Sequence, residues 1–564
     1  MSRRQSFPGS SLGRPLPRFA LVWSLVAAAA AVAVTVADAE AQSAPATPTA
    51  SAPSAQAAPS ALTLADATGR ALAKNRDVVI EREAGNIADA NIQRAQGAYD
   101  PLLRGEARYR ESLVPTTSIL SGAPPDDLAP HLRGVTSSAS LTQLLHNGST
   151  LTFSTASGFE QTNNFLTLIS PAWTTLIGVE ARLPLMQNRA IDPARRGIRV
   201  AQVGKERSAL SLRRTLLETV NAVEQAYWTL VAAQRDVEIK QQSVALAEQQ
   251  HSDVQARIDA KTTPESDIAQ PTAEIGRRKG DLYASEEARA RAERALKLLM
   301  LENESDPLWE TELRAVDAPD IPATGASSMA GQTAAELQAA LKDAEQFRPE
   351  LADVAARLKL QDIDIEAASD RLKPQLDLVA SYTARGLSGS EHDATIPIQG
   401  FPVIFHDEFD GGPLTSWGNL ARMRFPDASV GVQVSIPLGN RAAKADVAVA
   451  QSAKRQTLSL RDKEAQRIAV EVRNAVTALQ TASQRLEAAR ASREAAEVQL
   501  RAEQDRFEAG LTTTFLVLTR QNDLAAARVT ETTALTAYRR GLAELARARG
   551  TLLRDRGITL EENK

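Results

Sequence analysis

Few residues of this sequence have the types and spacing that catalysis requires. The five histidines are scattered, and the absence of cysteine excludes disulfides, thiolate nucleophiles and thiolate metal ligands. The segment Gly386-Leu387-Ser388-Gly389 lacks the spacing of a nucleophile elbow, and no glycine-rich phosphate loop joins a strand to a helix. We therefore predict that the chain is not an enzyme and uses no cofactor.

The closest grouping of metal-ligating residue types is His406-Asp407-Glu408 with Asp410. Imidazole and carboxylate groups at this spacing could hold a metal ion outside the cell. An acidic run of this kind is also typical of a solvated loop, which is the structure that we expect here. The formal net charge of −4 shows no basic footprint, so we predict no binding to nucleic acid.

Charged residues recur at every second position of several short segments. Six segments alternate with a period of two, which predicts strands with one polar and one apolar face; they are 103–110, 135–145, 149–160, 173–183, 376–384 and 429–436. The side chains that we assign to the lumen of a barrel are Arg104, Glu106, Arg108, Glu180, Arg182 and Asp377. A dry core would not accept these charges. We therefore favour a barrel in lipid with a wet lumen over an amphipathic sheet on a soluble core.

Four to six strands per chain are too few to close a barrel, since the smallest known barrels have about eight. Open sheet edges cannot persist in lipid, because their backbone groups would stay unpaired. Several chains must therefore share one barrel, and three chains would supply about 12 to 18 strands. Two alternatives remain for 135–160: it adds a hairpin to the barrel, or it lies outside the membrane.

The strands alternate with very long helices in an internally duplicated order. A shift of 249 positions brings Val223, Ala226, Leu230, Ala233 and Leu296 onto Val472, Ala475, Leu479, Ala482 and Leu545. Each half predicts a helix, strands, a long helix, a reversal and a return helix. The long runs are rich in Ala, Gln, Glu, Arg and Leu, which favour helix, and each would span about 100 Å.

These patterns predict the organisation of the chain. We expect a signal peptide at 1–41, with basic, apolar and small residues in order, where the alternative is an uncleaved anchor. The other segments are a flexible Ala/Pro/Ser linker (42–60), a first repeat (61–300), a loop-rich equatorial segment (301–335), a second repeat (336–555) and a tail (556–564). The first repeat has strands at about 103–183 and long helices at 191–259 and 264–300; the second has strands at about 375–437 and helices at 440–509 and 512–555.

The order and duplication of several short motifs resemble the TolC family of outer-membrane efflux proteins. The motifs lie at 95–101 (AQGAYDP), 223–230 (VEQAYWTL), 348–351 (RPEL), 430–438 (VGVQVSIPL) and 506–510 (RFEAG), and the resemblance covers about 61–555. It implies a mixed α+β membrane protein: a homotrimer whose β-barrel in the outer membrane, with four to six strands per protomer, continues into a long periplasmic α-helical barrel. It also implies a passive export duct in contact with outer-membrane lipid, a periplasmic adaptor protein and an RND-type or ATP-driven inner-membrane pump, serving efflux or type I secretion.

By the same resemblance, the helix reversals form the periplasmic tip, where the duct closes and the adaptor docks. The matching residues are Lys261, Thr262, Thr263, Pro264, Gly510, Leu511 and Thr512. Gly510 suits a helix end that turns into the left-handed region, and Lys261 departs from that pattern.

Candidate constriction residues follow each reversal; they are Asp267, Leu516, Thr519, Arg520 and Asp523. Asp267, with Ser266, either caps the return helix or contributes to an acidic ring in the lumen. Leu516 and Thr519 stand where some family members carry acidic rings, so we expect an apolar or mixed-charge constriction. The rival hypothesis for the whole chain is a periplasmic coiled-coil adaptor or structural protein without a barrel, which the six alternating segments oppose.

Overall fold

The computed structural model describes residues 60–113, 115, 122–124, 127, 129–262, 264–318, 334–392, 405–509 and 511–558. The predicted signal peptide and nearly all of the predicted linker lie outside these residues, as do Thr263, Gly510 and most of the predicted tail. The linker prediction is wrong at its last residue, because Ser60 begins a strand.

The first half begins with a strand and two helices, and the break between the helices falls at Asn75. Strand β1 (Ser60–Leu62) precedes α1 (Leu64–Lys74) and α2 (Arg76–Gln96). The Asn75 side chain accepts hydrogen bonds from the N–H groups of Asp77 and Val78 and so caps α2. The half continues with β2 (Leu102–Leu113), β3 (His131–Leu144), β4 (Thr150–Thr162), β5 (Ile169–Pro184), α3 (Pro193–Asp259) and α4 (Ala269–Met300).

The second half repeats this order. Its elements are β6 (Leu313–Ala315), α5 (Ala334–Phe347), α6 (Pro349–Asp370), β7 (Gln375–Glu391), α7 (Pro413–Ala421), β8 (Phe425–Ser435), α8 (Arg441–Glu508), α9 (Thr514–Arg549) and α10 (Leu552–Asp555). The prediction of one return helix over 512–555 is wrong near its end. Gly550 adopts a φ of 75°, a left-handed conformation that ends α9.

Strands β2, β3, β4, β5, β7 and β8 form one antiparallel sheet in that order. The hairpin of β3 and β4 pairs with β2 on one side and β5 on the other, so the segment 135–160 is part of the sheet. The long helices meet one end of the sheet, which we call the helix end, because β5 and β8 lead into α3 and α8 there. The other end is called the far end.

The two halves bury equivalent residues in separate apolar cores. Val223, Leu230 and Leu296 are buried in the first core, between α3 and α4. Their counterparts 249 positions later, Val472, Leu479 and Leu545, are buried in the second, between α8 and α9. The repeat in the sequence is therefore a repeat of core packing. With 67 and 68 residues, α3 and α8 are each about 100 Å long.

The segment predicted as equatorial packs against α3. Strand β6 pairs in parallel with β1. The Tyr227 hydroxyl of α3 lies 2.7 Å from a carboxylate oxygen of Asp317 and 3.1 Å from the carbonyl oxygen of Leu62. Burial and the hydrogen bond to Asp317 raise the pKa of Tyr227 above its usual value. Within the described residues, no helix is both long and apolar enough to cross a membrane.

A cluster of buried ion pairs joins three helices where α5 meets α6. Arg348 is almost fully buried and lies 2.9 Å from both Glu350 and Glu471, the latter on α8. Arg547 of α9 contacts Glu471 and Glu544, and its hydrogen bond to Glu544 is the main cause that raises the pKa of Arg547. Removing one partner would leave buried charges unpaired, which is costly. The Arg-Pro-Glu-Leu motif at 348–351 therefore has a packing role.

The substitution Gly550→Ala tests the role of Gly550 in ending α9. An added Cβ would lie 2.8 Å from the carbonyl carbon of Phe347, and the left-handed φ disfavours any L side chain. Gly557→Ala is the matched control, because Gly557 has a φ of 67° with open space around it. We expect the control to lower the free energy of unfolding by about 1 kcal/mol. Gly550→Ala should lower it at least about twice as much in circular dichroism melts. Equal losses would show that the contact with Phe347 does not matter.

Candidate functional site

The long helices α3 and α8 both end in the same kind of hydrogen-bonded reversal. At the end of α3, the N–H of Thr262 donates to the carbonyl of Arg257 at 3.0 Å. At the end of α8, the N–H of Leu511 donates to the carbonyl of Arg506 at 2.9 Å. These are the six-to-one bonds of a Schellman motif, which ends a helix by satisfying a free carbonyl. The two reversals of the predicted tip thus share geometry as well as sequence position.

Lys261 adopts the conformation that a glycine takes easily. Its φ is 55°, in the left-handed region, where a side chain costs about 1–2 kcal/mol. Its departure from glycine therefore adds local strain without changing the type of turn. Pro264 follows in an extended conformation and precedes a short 3-10 helix, Glu265–Ile268.

The expectation that Asp267 caps the return helix is wrong. No side chain makes a capping hydrogen bond at the start of α4, because the chain passes directly from the 3-10 helix into α4. The Ser266 hydroxyl instead donates to the carboxylate of Asp267 at 3.2 Å. Asp267 is exposed, so its alternative role in an acidic ring remains a prediction.

The start of α9 carries exposed apolar side chains next to the second reversal. Leu511 is 79% exposed, Phe515 58% and Leu516 40% in the single chain. Phe515 is absent from the sequence-predicted residues, although its spacing of four from Thr519 places the two on one face of the predicted helix. These side chains are therefore available for contacts beyond the single chain.

The polar residues at this end of α9 are held by local hydrogen bonds. The Thr512 hydroxyl donates to the carboxylate of Glu503 at 2.5 Å, and the Thr519 hydroxyl donates to the backbone carbonyl one turn earlier at 2.8 Å. Arg520 and Asp523 form an ion pair at 3.1 Å. The positive and negative charges at these two positions therefore face each other.

Two contacts join the helical hairpins near the reversals. The guanidinium of Arg257 lies 4.8 Å from the ring centre of Phe507, which connects α3 to α8. The side-chain amide of Asn522 donates to the carboxylate of Glu274 at 3.0 Å, which connects α9 to α4. We call this second contact the Glu274–Asn522 link. It joins residues 248 positions apart, so no local sequence signal could have predicted it.

Glu274 is itself held firmly on α4. Hydrogen bonds from Arg277, Asn522 and Arg278 outweigh partial burial and lower the pKa of Glu274 to about 2. Arg278 lies 2.7 Å from Glu274 and also donates to the carbonyl of Ser243 on α3 at 2.7 Å. The Glu274–Asn522 link is therefore anchored through a buried guanidinium to a third helix.

The residues predicted to line a lumen all lie on one face of the sheet. Directly paired residues of antiparallel strands point to the same side. Through these pairs Arg104, Glu106, Arg108, Glu180, Arg182 and Asp377 share a polar face, which extends over all six strands. Arg182 contacts the buried Asp377 at 2.7 Å and Gln433 of β8 at 3.2 Å.

The opposite face of the sheet is apolar. Leu103, Leu141, Phe153, Val179 and Tyr382 lie in one row across five strands. Much of this face is exposed in the single chain, as shown by Val430, Val432 and Val434 on β8. A sheet with one ionic and one exposed apolar face requires a different medium on each side.

The segment around His406 shows contacts typical of a packed loop. Glu408 forms an ion pair with Arg424, and the ring of Phe409 stacks on that of Phe425. In the described part of the chain, no group of three or more His, Asp or Glu side chains is placed to hold a metal ion.

Comparison with known proteins assigns the second half of the chain to a family. Residues 340–551 match the model of the family described as outer membrane efflux protein. This stretch contains α6, β7, β8, α8 and α9. We call residues 340–551 the outer membrane efflux protein domain, after the family model that they match. The predicted resemblance is thereby confirmed, and the outer membrane is the location of that family.

Solved structures extend the likeness beyond the outer membrane efflux protein domain. The fold is similar to the CmeC outer membrane channel of Campylobacter jejuni, with a TM-score of 0.57, 14% identity and coverage of 87% of this chain and 86% of that one. It is also similar to the open state of the MtrE outer membrane channel of Neisseria gonorrhoeae, with a TM-score of 0.55, 17% identity and coverage of 87% of this chain and 89% of that one. A third similar structure is the outer membrane protein VceC of Vibrio cholerae, with a TM-score of 0.57, 13% identity and coverage of 86% of this chain and 96% of that one. At these identities the likeness shows the fold. No curated protein matches the chain.

The outer membrane efflux protein domain contains the second reversal with Leu516 and Thr519, whereas Lys261 and Asp267 lie in the first half. The internal duplication relates the two regions, since the first-half reversal has the same hydrogen bond at the equivalent position.

The low pKa of Glu274 predicts how the Glu274–Asn522 link responds to pH. A carboxyl with a lowered pKa adds stability above its unfolded pKa of about 4.5, and this contribution is lost as the pH falls towards 2. Glu274→Gln should therefore cost about 1.5–3 kcal/mol at neutral pH. The difference from the unsubstituted chain should shrink only below pH about 4.5.

Thermal melts over a pH series measure this difference. Glu287→Gln is the matched control, because Glu287 pairs with Arg291 on the exposed surface of the same helix and should contribute little. A difference for Glu274→Gln that is independent of pH would contradict the assigned ionic link.

Proposed function

We propose that the chain is one protomer of a homotrimeric, passive export duct in the outer membrane. This proposal rests on the exposure and the unpaired outer edges of the two edge strands. Strands β2 and β8 are exposed on both faces over nearly their whole length in the single chain. Each also has an outer backbone edge at the border of the six-stranded sheet.

Open edges with an apolar face demand a partner strand. In lipid, unpaired N–H and C=O groups cost several kcal/mol each, so only closed barrels of strands persist. Pairing β2 of one copy with β8 of the next satisfies both edges and continues both faces of the sheet. Three copies give about 18 strands, an even number within the range of outer-membrane barrels.

The proposed barrel also determines which face of the sheet contacts lipid and which lines the lumen. The apolar face with Val430 and Val432 contacts lipid, and the ionic face with Arg104, Glu106, Arg108, Glu180, Arg182 and Asp377 lines a wet lumen. A periplasmic coiled-coil adaptor without a membrane barrel would leave this apolar sheet face in water. That rival hypothesis is therefore disfavoured by the sheet and not by the helices.

The helical hairpins supply the periplasmic part of the duct. Their length of about 100 Å suits a tunnel that reaches from the outer membrane towards an inner-membrane pump. We propose that a periplasmic adaptor docks at the two reversals, where Lys261, Thr262 and Leu511 are exposed. An RND-type or ATP-driven pump supplies the energy, so the duct itself requires no catalytic site.

We further propose that the tip constriction is apolar and of mixed charge. Leu516 with Phe515 supplies apolar side chains, and the Arg520–Asp523 pair supplies compensated charge. The Glu274–Asn522 link holds the return helices α4 and α9 together, so breaking it should favour an open tip.

Cross-linking tests the shared barrel. The chain has no cysteine, so engineered pairs report on contacts between chains without background. Ala107→Cys on β2 is combined in turn with Val430→Cys, Val432→Cys or Val434→Cys on β8, all on the apolar face. Oxidation in membranes should give covalent dimers and trimers for the pair in register, with the trimer as the largest species because the ring closes.

The matched control for cross-linking combines Ala107→Cys with Ala181→Cys, which lies on the inner strand β5 and cannot reach a neighbouring chain. No cross-link with any β8 position, or a ladder that continues beyond trimers, would contradict the proposed barrel.

Conductance in planar bilayers tests the constriction. Leu516→Ser, Thr519→Gly and Asn522→Ala should each raise single-channel conductance, by at least about twofold, because they widen the tip or release it. Thr533→Ser, on an exposed position farther along α9, is the matched control and should leave it unchanged. If only Asn522→Ala raises the conductance, Leu516 and Thr519 do not line the narrowest point.

A further inference from the structure

The short helix α7 lies on the apolar face of the sheet, at the far end. The Thr175 hydroxyl of β5 lies 3.0 Å from that of Ser416, and the Ser388 hydroxyl of β7 donates to the carbonyl of Gly412 at 2.7 Å. Thr175 and Ser388 share the face of Trp173 and Tyr382. The helix therefore covers the surface that we assign to lipid.

The sheet has a fitted recess for this helix. The apolar face carries Thr175, Ala384, Gly386 and Ser388 where α7 packs, in place of the large side chains found elsewhere on it. A Cβ at Gly386 would lie 2.1 Å from the carbonyl oxygen of Ser416, so only glycine permits the contact. The position of α7 is thus built into the sequence of two strands.

The helix also protects a backbone edge. Strand β8 pairs with β7 only as far as Arg385, while β7 continues to Glu391. The Asn419 side chain donates to the carbonyl of Leu387 at 3.0 Å on this open stretch. The hydrogen bond fixes α7 against β7 beyond the end of β8, where an isolated bridge also joins Gly389 of β7 to Asp410.

The register of the sheet gives the height of α7. Trp173 pairs with Phe159 on one side and with Ser388 on the other, and Tyr109 lies in the same row. The twelve residue-to-residue steps from Leu376 to Ser388 rise about 40 Å along the strand, or about 30 Å along a barrel axis at the usual tilt. This height matches the apolar band of an outer-membrane barrel, so the row lies at its outer boundary.

The outward side of α7 continues this row. Trp417 is 38% exposed and Leu414 is 86% exposed, while Ser416 and Leu420 on the other side are buried against the sheet. Arg422 follows on the surface directly after the helix. Tryptophan at the level of the headgroups with a basic residue beside it is typical of a membrane boundary. In the row of Tyr109, Phe159 and Trp173, β7 carries the small, buried Ser388. Trp417 of α7 thus supplies the aromatic side chain at that position.

We propose that α7 is an interfacial helix, whose Leu414 and Trp417 insert between the acyl chains and headgroups of the outer leaflet. The helix replaces β7 in the aromatic girdle formed by Tyr109, Phe159 and Trp173. This inference rests on the proposed membrane barrel, because it requires the apolar face of the sheet to contact lipid. Its occupant is bilayer lipid and not a soluble protein or a second copy of the chain.

Depth-dependent quenching of tryptophan fluorescence tests the proposal. The mature chain is reconstituted into vesicles of brominated phosphatidylcholine, with bromine either near the headgroup or near the end of the acyl chains. This chain lacks the predicted signal peptide, which contains Trp23, and so has four tryptophans. One variant keeps only Trp417, through W173F, W228F and W309F. We expect roughly twofold quenching by bromine near the headgroup and weaker quenching by bromine at the chain ends.

Two matched variants separate the inference from the proposed function. A variant that keeps only Trp173 should be quenched like Trp417, since Trp173 lies in the girdle. A variant that keeps only Trp228, buried among the helices, should not be quenched. Quenching of Trp173 without quenching of Trp417 would overturn the role of α7 and leave the barrel standing. If neither Trp173 nor Trp417 is quenched, the membrane barrel itself is wrong. Circular dichroism of each variant confirms that the helices are retained.

Discussion

Unpaired backbone groups at the edges of one sheet determine the rest of this structure. The six strands of the described sheet do not close these edges, and the exposed apolar side chains of β8 disfavour leaving that face in water. In the proposed duct, copies of the same chain lie side by side and pair these edges. The long helices of that proposed duct would inherit the symmetry of its barrel, because each follows directly from a strand of the sheet. The proposed tunnel of helices would thus be a consequence of how the sheet closes.

The helical part carries its own connections between the two repeats. The Arg348 cluster joins α6, α8 and α9 in the middle of the molecule, and the Glu274–Asn522 link joins α4 and α9 near the tip. These connections differ in what surrounds them. Arg348 is enclosed among three helices, whereas the link near the tip depends on one amide and one carboxylate. This difference is consistent with the proposal that the tip opens while the middle of the helical part stays closed.

Much of the fold could be predicted because its signals are periodic and local. The long helices start and end within a few residues of the predicted positions, and the break at Asn75 follows from a cap that the sequence displays. The alternation of β7 is visible only up to about 384, although the strand continues to Glu391. Small residues replace apolar ones there because α7 covers them, so the period disappears for a tertiary reason.

The same explanation applies to the features that sequence reasoning missed. Helix α7 has nine residues with an internal glycine and depends on contacts with β5 and β7 for its stability. The sequence pattern therefore predicts no helix for this segment. The capping role of Asp267 was wrong because a 3-10 turn precedes α4. The partner of Glu274 lies in the other repeat, and one sequence without its fold cannot show such a pair.

The number of chains in the assembly tests the central claim most directly. Native mass spectrometry of the mature chain, extracted from outer membranes in mild detergent, would count the copies in one particle. We predict three copies that separate only when the detergent-solubilised barrel is denatured. A monomer that stays in solution without detergent would contradict the account, since its sheet edges and apolar face would then have no partner.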